Sequence, residues 1–300
     1  MDLRKLDQNT QIFMVAFLGM GLLGSNFVRA MIQKGAQVQV WNRTYTRAAA
    51  MEQYGAKAFA SASDAVKGAH IIHVTTKDDD SVDEVLAQAS AGFEPGAVIV
   101  DHTTTSVAGA IRRTSAWKER GFVYLHAPVF MGPSNALDST GHMLVSGDQQ
   151  VIAALEPDLS KMTGKVLNFG PEPGRASAMK LLGNLYLVVF TSGIADMLSL
   201  AGALDVPVSD ITTLLSQWNP GAAPLPRLQK LAGGVYENPS WELEMSRKDT
   251  QLFINGAAEA GVQLAVLPAI AREMDKWIAQ GYGKNDWTVI GKAAAENIKK

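Results

Sequence analysis

The sequence predicts an α/β domain with a mostly parallel sheet, followed by an all-α domain. In the first half, short apolar runs alternate with segments of helical periodicity, as in parallel strands joined by helices. The first apolar run, residues 12–18, leads directly into a glycine-rich turn. After Gly174 the sequence shows helical periodicity and no convincing strand. We therefore assign residues 1–172 to the α/β domain and residues 173–300 to the helical domain.

The predicted strands are short apolar runs, and the predicted helices carry apolar residues at helical spacing. Strands are predicted at residues 12–18, 37–41, 70–75, 97–101, 122–129, 142–145 and 165–169. Helices are predicted at residues 22–33, 46–53, 63–67, 79–91, a segment ending near 120, 176–203, 206–216, 247–260, 266–279 and 287–298. The segment 219–226 predicts a loop, because its prolines break the pattern. The helix at 176–203 is apolar on nearly every side, which predicts burial by a domain or a second subunit.

The composition is that of an ordinary soluble globular chain. It has 300 residues, 47% hydrophobic and 19% charged, with a net charge of −2 and no cysteine. This balance provides no basic surface for nucleic acid or an anionic membrane. The lack of cysteine excludes disulfides, thiolate nucleophiles and thiolate metal ligands. We expect a short polar leader at residues 1–11 and a cytoplasmic protein with a small-molecule substrate, no nucleic acid and no membrane.

A G-x-G-x-x-G sequence follows the first strand and opens a helix. Glycines at these positions permit a tight turn and a close approach to a pyrophosphate, while the helix N-terminus directs N–H groups at the phosphates. Strand, turn, helix and a second strand at 37–41 together predict a Rossmann-type dinucleotide site, and a glycine-rich turn in another kind of α/β protein is the alternative. The predicted cofactor-binding residues of the turn are Gly19, Met20, Gly21, Leu22, Leu23 and Gly24.

The end of the second strand favours NADP over NAD. Chains that bind NAD carry an acidic residue here for the ribose 2′-hydroxyl, whereas this chain has Asn42, Arg43 and Thr44. Arg43 can pair with a 2′-phosphate, and Asn42 and Thr44 can donate hydrogen bonds to it. The alternative is that Arg43 and Thr44 only start the next helix.

Lys180 and Asn184 are the candidate catalytic residues. They lie four residues apart on the long helix and therefore share one face, which is otherwise crowded with apolar groups. Burial lowers the pKa of a lysine toward the range useful for proton transfer. The alternative is a lysine whose amine extends to solvent from the first turns of the helix.

Further candidates lie at strand ends, which face the ligand crevice in open α/β sheets. Thr75 and Thr76 end one strand, and Thr103 and Thr104 follow another. Their hydroxyls are predicted to contact cofactor or substrate, although Thr105 or Ser106 can equally serve as a helix cap.

Two other segments have weaker signals. The loop 127–133 can bind an anion through its backbone or be a simple connector. Lys248, placed at the opening of a C-terminal helix, can reach an anion or belong to a solvated helix end. Among the five histidines, His70 and His73 lie in one predicted strand and point to opposite faces, and His102, His126 and His142 are scattered, so the sequence predicts no metal site.

In order along the chain, these segments resemble the β-hydroxyacid dehydrogenases, which include 3-hydroxyisobutyrate dehydrogenases and glyoxylate or succinic semialdehyde reductases. The resemblance extends from about Phe13 to Lys292. The matching segments are the turn 19–24, Asp101 to Thr104, the loop Ala127 to Gly132, the helix with Gly174, Lys180 and Asn184, and Lys248 with Asp249.

The resemblance implies hydride transfer between a nicotinamide and a small 3-hydroxy acid or its semialdehyde or keto form. It implies that Lys180 is the general acid/base and that Asn184 positions the substrate oxygen. It also implies a helical domain that exchanges contacts between subunits, so we expect a homodimer or homotetramer. The implied contacts are Thr103, Phe130, Met131 and Gly132 with substrate, and Thr104 and Lys248 with cofactor.

Four positions depart from the family pattern. Phe130 and Met131 replace Ser-Gly, Gly183 replaces an asparagine, and Thr103 replaces a serine. The bulk at 130–131 favours a different or more apolar substrate. An imine reductase on the same fold is therefore one alternative, although Lys180 favours carbonyl chemistry. A non-catalytic NADP(H)-binding sensor or assembly module is an alternative of another class.

Overall fold

The structure is a computed structural model that describes residues 14–298. The predicted polar leader and the start of the first predicted strand lie outside these residues. The chain forms two compact units, the first ending at Asn184 and the second beginning at Leu185. Each unit is described separately.

The first unit contains a six-stranded parallel sheet with the strand order β3-β2-β1-β4-β5-β6. The strands are β1 (Met14–Leu18), β2 (Gln37–Trp41), β3 (Lys57–Phe59), β4 (Ile71–Val74), β5 (Val98–Asp101) and β6 (Val123–His126). This is the doubly wound order of dinucleotide-binding domains, so the predicted α/β fold is confirmed. The three-residue strand β3 was not predicted, because so short a segment has no measurable periodicity.

Helices cover both faces of this sheet, so its strands are buried on both sides. Alternate residues of β1 face opposite ways: Phe17 belongs to one hydrophobic cluster, and Ala16 and Leu18 belong to the other. The connecting helices are α1 (Leu22–Gln33), α2 (Tyr45–Ala49), α3 (Ala62–Ala65), α4 (Asp79–Ala89) and α5 (Val107–Glu119). The hydroxyl of Ser106 accepts a hydrogen bond from Gly109 N at the start of α5, which confirms the predicted cap.

The predicted strand 122–129 is wrong as one element. It divides into β6 and a short strand β7 (Val129–Phe130), which belongs to a second sheet. Pro128 lies at the division, since it has no N–H for a ladder, although its carbonyl accepts from Leu144 N. The second sheet pairs β7 with β8 (His142–Val145) antiparallel and β8 with β9 (Lys165–Asn168) parallel. Two unpredicted helices flank β8, namely α6 (Pro133–Asp138) and α7 (Gln149–Leu159).

The long helix α8 (Arg175–Ala203) begins in the first unit and continues into the second. The second unit also contains α9 (Val208–Gln217), α10 (Pro224–Gly233), α11 (Leu243–Glu259), α12 (Leu267–Trp277) and α13 (Lys292–Ile298). The loop predicted at 219–226 is wrong in its last part, because Pro224 starts α10, where the fixed φ of proline suits the first helical turn.

Among the described residues, α8 is the one helix long and apolar enough to cross a membrane by length and composition. Buried helices of soluble proteins have the same properties. The described part of the chain leaves many apolar side chains of α8 exposed: Leu181, Leu182, Leu185, Tyr186, Leu187, Val188, Val189 and Phe190. Burial by a domain of the same chain, one of the two predicted possibilities, is therefore not found along this stretch, and burial by a second subunit stays a prediction.

Candidate functional site

A cleft of about 680 Å³ lies in the first unit, at the carboxyl ends of the parallel strands. It is lined by the glycine turn after β1 and by the segments that follow β2, β4 and β5. The strand order reverses between β1 and β4, which is where open α/β sheets bind their ligands. The structure thus brings the predicted nucleotide-binding segments of the first unit together.

The glycine turn allows close backbone approaches that no other residue permits. Gly19 has φ +108°, and a Cβ there would overlap the carbonyl oxygen of Thr75. A Cβ at Gly24 would overlap the carbonyl oxygen of Gly19 in the same way. Gly21 is the N-cap of α1, with no side-chain cap and open space where a Cβ would be. The first N–H groups of α1 are therefore accessible to a pyrophosphate.

The loop after β2 fits a phosphorylated ribose through Arg43. Arg43 is exposed and lines the cleft, and no carboxylate of residues 14–298 forms an ion pair with it. Arg47, four residues later on α2, also lines the cleft. Asn42 has another role, because its Oδ1 accepts from Met20 N at 3.0 Å and its Nδ2 donates to the carbonyl of Thr44 at 3.0 Å. Asn42 therefore ties this loop to the glycine turn.

The threonines after β4 and β5 differ in what they offer a ligand. Thr75 Oγ1 is buried and has no hydrogen-bond partner among the described residues. Thr104 is exposed in the cleft. Thr103 is buried, and its hydroxyl accepts from Thr76 N at 3.0 Å. Thr103 therefore holds two cleft-lining loops together, and Thr104 presents its hydroxyl to the cleft.

A buried polar network, which the sequence analysis missed, supports the loop after β5. Asp101 accepts from Thr103 N at 2.9 Å and from the Tyr124 hydroxyl at 2.6 Å. Burial and the Asp101 carboxylate raise the pKa of Tyr124 well above its usual value, so its phenol remains a donor. Arg113 donates to Tyr124 at 3.0 Å and pairs with Asp79 at 2.6 Å. The sequence analysis missed it because nothing in the sequence distinguishes a buried arginine in the middle of a polar helix from an exposed one.

His102, which the sequence predicted to be scattered, lies against His73, and this contact corrects that expectation. His73 Nδ1 lies 3.0 Å from His102 Nε2, with the rings stacked at 5.2 Å. His102 Nδ1 donates to the carbonyl of Ala127, so His73 must be the donor to His102. Burial lowers the pKa of His102 to about 4, and it also lowers the pKa of His73 and His126. Among residues 14–298, no group of three His, Asp or Glu side chains is placed to hold a metal.

Lys180 and Asn184 meet as predicted, with Lys180 Nζ donating to Asn184 Oδ1 at 3.0 Å. Lys180 is half-buried, and burial lowers its pKa below the usual value. The ring of Phe130 lies over the amine, with 4.5 Å between Nζ and the ring centroid. One turn earlier on α8, the Ser177 hydroxyl donates to the carbonyl of Thr105 at 2.7 Å. This bond fixes the start of α8 against the loop that carries Thr103 and Thr104.

Lys248 belongs to the second unit. It lies within α11, which begins at Leu243, so the prediction that Lys248 opens a helix is wrong. Its amine pairs with Asp249 at 2.9 Å. The predicted contact of Lys248 with a cofactor stays a prediction.

Sequence reasoning also missed the contribution of α4 to the cleft. Asp78, Asp80, Ser81 and Glu84 line it, beside Lys77 at the end of the preceding loop. Asp78 caps α4 through a capping box with Ser81, a pattern that is visible in the sequence. A capping box directly after a predicted parallel strand is therefore a sequence signal by which these cleft-lining residues could have been found.

A family profile for the NAD binding domain of 6-phosphogluconate dehydrogenase matches residues 14–170. Glyoxylate/succinic semialdehyde reductase 2 of Arabidopsis thaliana is 29% identical over 91% of this chain and 76% of its own. The 3-sulfolactaldehyde reductase of Escherichia coli is 23% identical over 92% of this chain and 94% of its own. The chain belongs to the β-hydroxyacid dehydrogenase family. It is therefore an NAD(P)-dependent dehydrogenase or reductase.

The fold of this family member is shared by solved structures. An imine reductase from Myxococcus stipitatus, solved with NADP+, superposes with a TM-score of 0.83 at 23% identity. That comparison covers 92% of this chain and 98% of the other. At this identity the likeness shows the fold, and substrate chemistry has to be argued from the site.

Proposed function

We propose that this protein is an NADP-dependent oxidoreductase acting on a small 3-hydroxy acid or its semialdehyde or keto form, with Lys180 as general acid/base. The observation that carries the proposal is the half-buried Lys180–Asn184 pair, on a helix that is bonded to a loop of the nucleotide cleft. A bound nicotinamide would supply or accept the hydride. The residues of the chain would bind, orient and move the proton.

Cofactor binding rests on the glycine turn, on Thr75, Thr76 and Thr104, and on Arg43. The open N-terminus of α1 suits the pyrophosphate, and the exposed Thr104 hydroxyl suits a polar group of the ligand. Arg43 favours NADP, because a free guanidinium pairs well with a 2′-phosphate and β2 ends without a carboxylate.

Lys180 would donate a proton to the substrate oxygen during reduction and accept one during oxidation. Desolvation lowers the pKa of this amine, which brings it closer to neutral pH, where proton transfer in both directions is efficient. Asn184 Oδ1 accepts one hydrogen bond from the Lys180 amine. A further N–H group of that amine remains for the substrate. Lys180 and Asn184 therefore act as a proton donor and its positioning group.

Carbonyl chemistry is also what the names of the relatives describe. One is a glyoxylate or succinic semialdehyde reductase, and another is a sulfolactaldehyde reductase. These two names describe reduction of a C=O group in a small anionic molecule. We propose the same reaction type, carbonyl reduction, for this protein. The names of the relatives do not determine its substrate, which depends on the geometry of its own site.

Substitution of Lys180 by methionine tests the proposal. We expect kcat for NADPH-dependent carbonyl reduction to fall by about 10²–10⁴-fold, because the proton donor is lost while the aliphatic stem remains. The assay follows NADPH absorbance with glyoxylate, succinic semialdehyde and a cyclic imine. Lys165→Met, an exposed lysine on β9, is the matched control.

Three results would contradict the proposal. Full activity of Lys180→Met would exclude the assigned proton donor. Faster reduction of the cyclic imine than of every carbonyl compound would establish the imine reductase alternative. NADPH binding without turnover of any substrate would establish a non-catalytic binding protein.

We further propose a homodimer or homotetramer. Large apolar side chains of α8 are exposed at almost every position from 181 to 190, which monomeric soluble proteins rarely show. A second copy of the same chain provides a complementary apolar surface, because a two-fold interface uses the same patch on both subunits.

A further inference from the structure

Gly183 is a helical residue that directly underlies an aromatic ring. A Cβ at Gly183 would overlap Cζ of Phe130 and lie 2.8 Å from Cε1 of the same ring. Any side chain at this position therefore displaces the ring. Glycine is unfavourable inside a helix, so its presence in α8 is explained by the space that Phe130 occupies.

The same ring covers one side of the proposed proton donor. Lys180 and Gly183 are three residues apart and lie on one face of α8, so one ring contacts both. The ring centroid is 4.5 Å from Lys180 Nζ, and Asn184 takes a second side of the amine at 3.0 Å. An ammonium has three N–H groups, so one remains for the oxygen of a substrate.

The loop that carries Phe130 offers few groups to an anion. The side chains of Phe130 and Met131 have no N–H or O–H donor, and Pro133 has no backbone N–H. The N–H of Gly132 already donates to Asn135 Oδ1 at 2.8 Å. Next to Lys180 this loop presents an aromatic ring and a thioether.

We propose that Phe130, accommodated by Gly183, determines substrate specificity, and that the substrate group lying against residues 130–132 is uncharged and apolar. This inference rests on the proposed function, because it assumes that Lys180 protonates the substrate oxygen. A carboxylate against the ring would lose its water without gaining donors, whereas an alkyl, ester or aryl group would gain contact area. Within the substrate class of the proposed function, the preferred compound is therefore a neutral derivative, such as an ester, and not the free acid.

A pair of substrates that differ only in this charge tests the specificity. The pair is succinic semialdehyde and its methyl ester. We expect the wild-type kcat/KM to favour the ester by about tenfold or more, because a site without donors rejects a group that needs them. Phe130→Ser should reduce that ratio by about tenfold, since it opens the site to water and supplies a hydroxyl. A wild-type preference for the acid, or an unchanged ratio in Phe130→Ser, would overturn the inference.

A second experiment measures the contact between the two residues without requiring turnover. Gly183→Ala should lower the melting temperature, and adding Phe130→Ser should recover it, because the overlapping ring is gone. Gly202→Ala is the matched control, since it lies on the same helix with nothing near its Cβ position. Equal melting temperatures for Gly183→Ala and Gly202→Ala would refute the contact.

The two proposals fail in different ways. Full activity of Lys180→Met would refute the proton donor and leave the melting-temperature coupling intact. An activity that depends on Lys180 but prefers the free acid would refute only the specificity assigned to Phe130.

Discussion

The neighbours of Lys180 act on the protonation of its amine in opposite directions. Burial lowers the pKa of the amine, because the ammonium loses water. The face of the Phe130 ring attracts the ammonium, which favours the charged form. The Asn184 amide accepts one N–H in a fixed direction. One aromatic side chain thus both shields the proposed proton donor and helps to keep it protonated.

Arg43 is the residue on which the proposed preference for NADP depends. Arg43→Asp should raise the Kd for NADPH by 10²-fold or more, about 3 kcal/mol, because a charge-assisted pair becomes a repulsion. The Kd for NADH should change little, since NADH has no 2′-phosphate. Fluorescence titration with both cofactors measures this, with Arg112→Asp as a control on an exposed helix. Equal effects on the two cofactors would exclude the assigned role.

The buried histidines predict an acid-sensitive fold. Between the ordinary pKa of 6.5 and the lowered value of about 4 for His102, the unfolded chain binds protons that the folded chain does not. The free energy of unfolding should therefore fall as the pH decreases through this window. Each such histidine contributes a slope of up to about 1.4 kcal/mol per pH unit.

Urea unfolding of His73→Phe across this window tests the assignment. The variant keeps the aromatic stack with Phe17 but removes one titrating group, so its stability should depend less steeply on pH. It should also be less stable than the wild type at neutral pH, because His102 Nε2 loses its donor. His142→Gln, at an exposed position on β8, is the control for the loss of a histidine side chain. A His73→Phe slope equal to that of the wild type would contradict the assignment.

At the scale of elements, Arg113 joins two helices to the sheet. It is buried on α5, pairs with Asp79 on α4 and donates to Tyr124 on β6. Arg113→Met should reduce the free energy of unfolding by about 3–5 kcal/mol, because it leaves buried polar groups without a partner. Arg112→Met removes a neighbouring but exposed pair with Asp83 and should cost about 0–1 kcal/mol. Urea unfolding of both variants measures the difference, and similar losses would show that the network is not structurally important.

The sequence predicted long elements better than short ones. The bounds of α1 and β2 were predicted correctly, because their apolar periodicity and glycine stops are local. The helix α10 was missed, since a proline that starts a helix looks the same in sequence as one that ends it. The division of residues 122–129 into two sheets depends on the partner strand β8, which lies outside the local sequence.

At the scale of the whole molecule, the exposed face of α8 predicts self-association. We expect a dimer or tetramer by size-exclusion chromatography with light scattering. Leu185→Asp combined with Val188→Asp should shift it toward the monomer, because two charges would be buried in an apolar interface. Ile298→Asp, at an even more exposed apolar position outside α8, is the control. A wild-type monomer at micromolar concentration would refute the prediction, and partition of that monomer into vesicles would identify a membrane as the occupant of this face.

By itself the sequence determined the α/β class, the glycine turn and the spacing of Lys180 and Asn184, because each depends on residues a few positions apart. Only the tertiary structure decided that His73 contacts His102, that Arg113 reaches Tyr124, and that Phe130 occupies the space above Gly183. These contacts join residues that are distant in sequence. The protonation and hydrogen bonding of each side chain depend on how far its neighbours exclude water and which charges they carry. The chemistry of the site therefore follows from packing that no local pattern encodes.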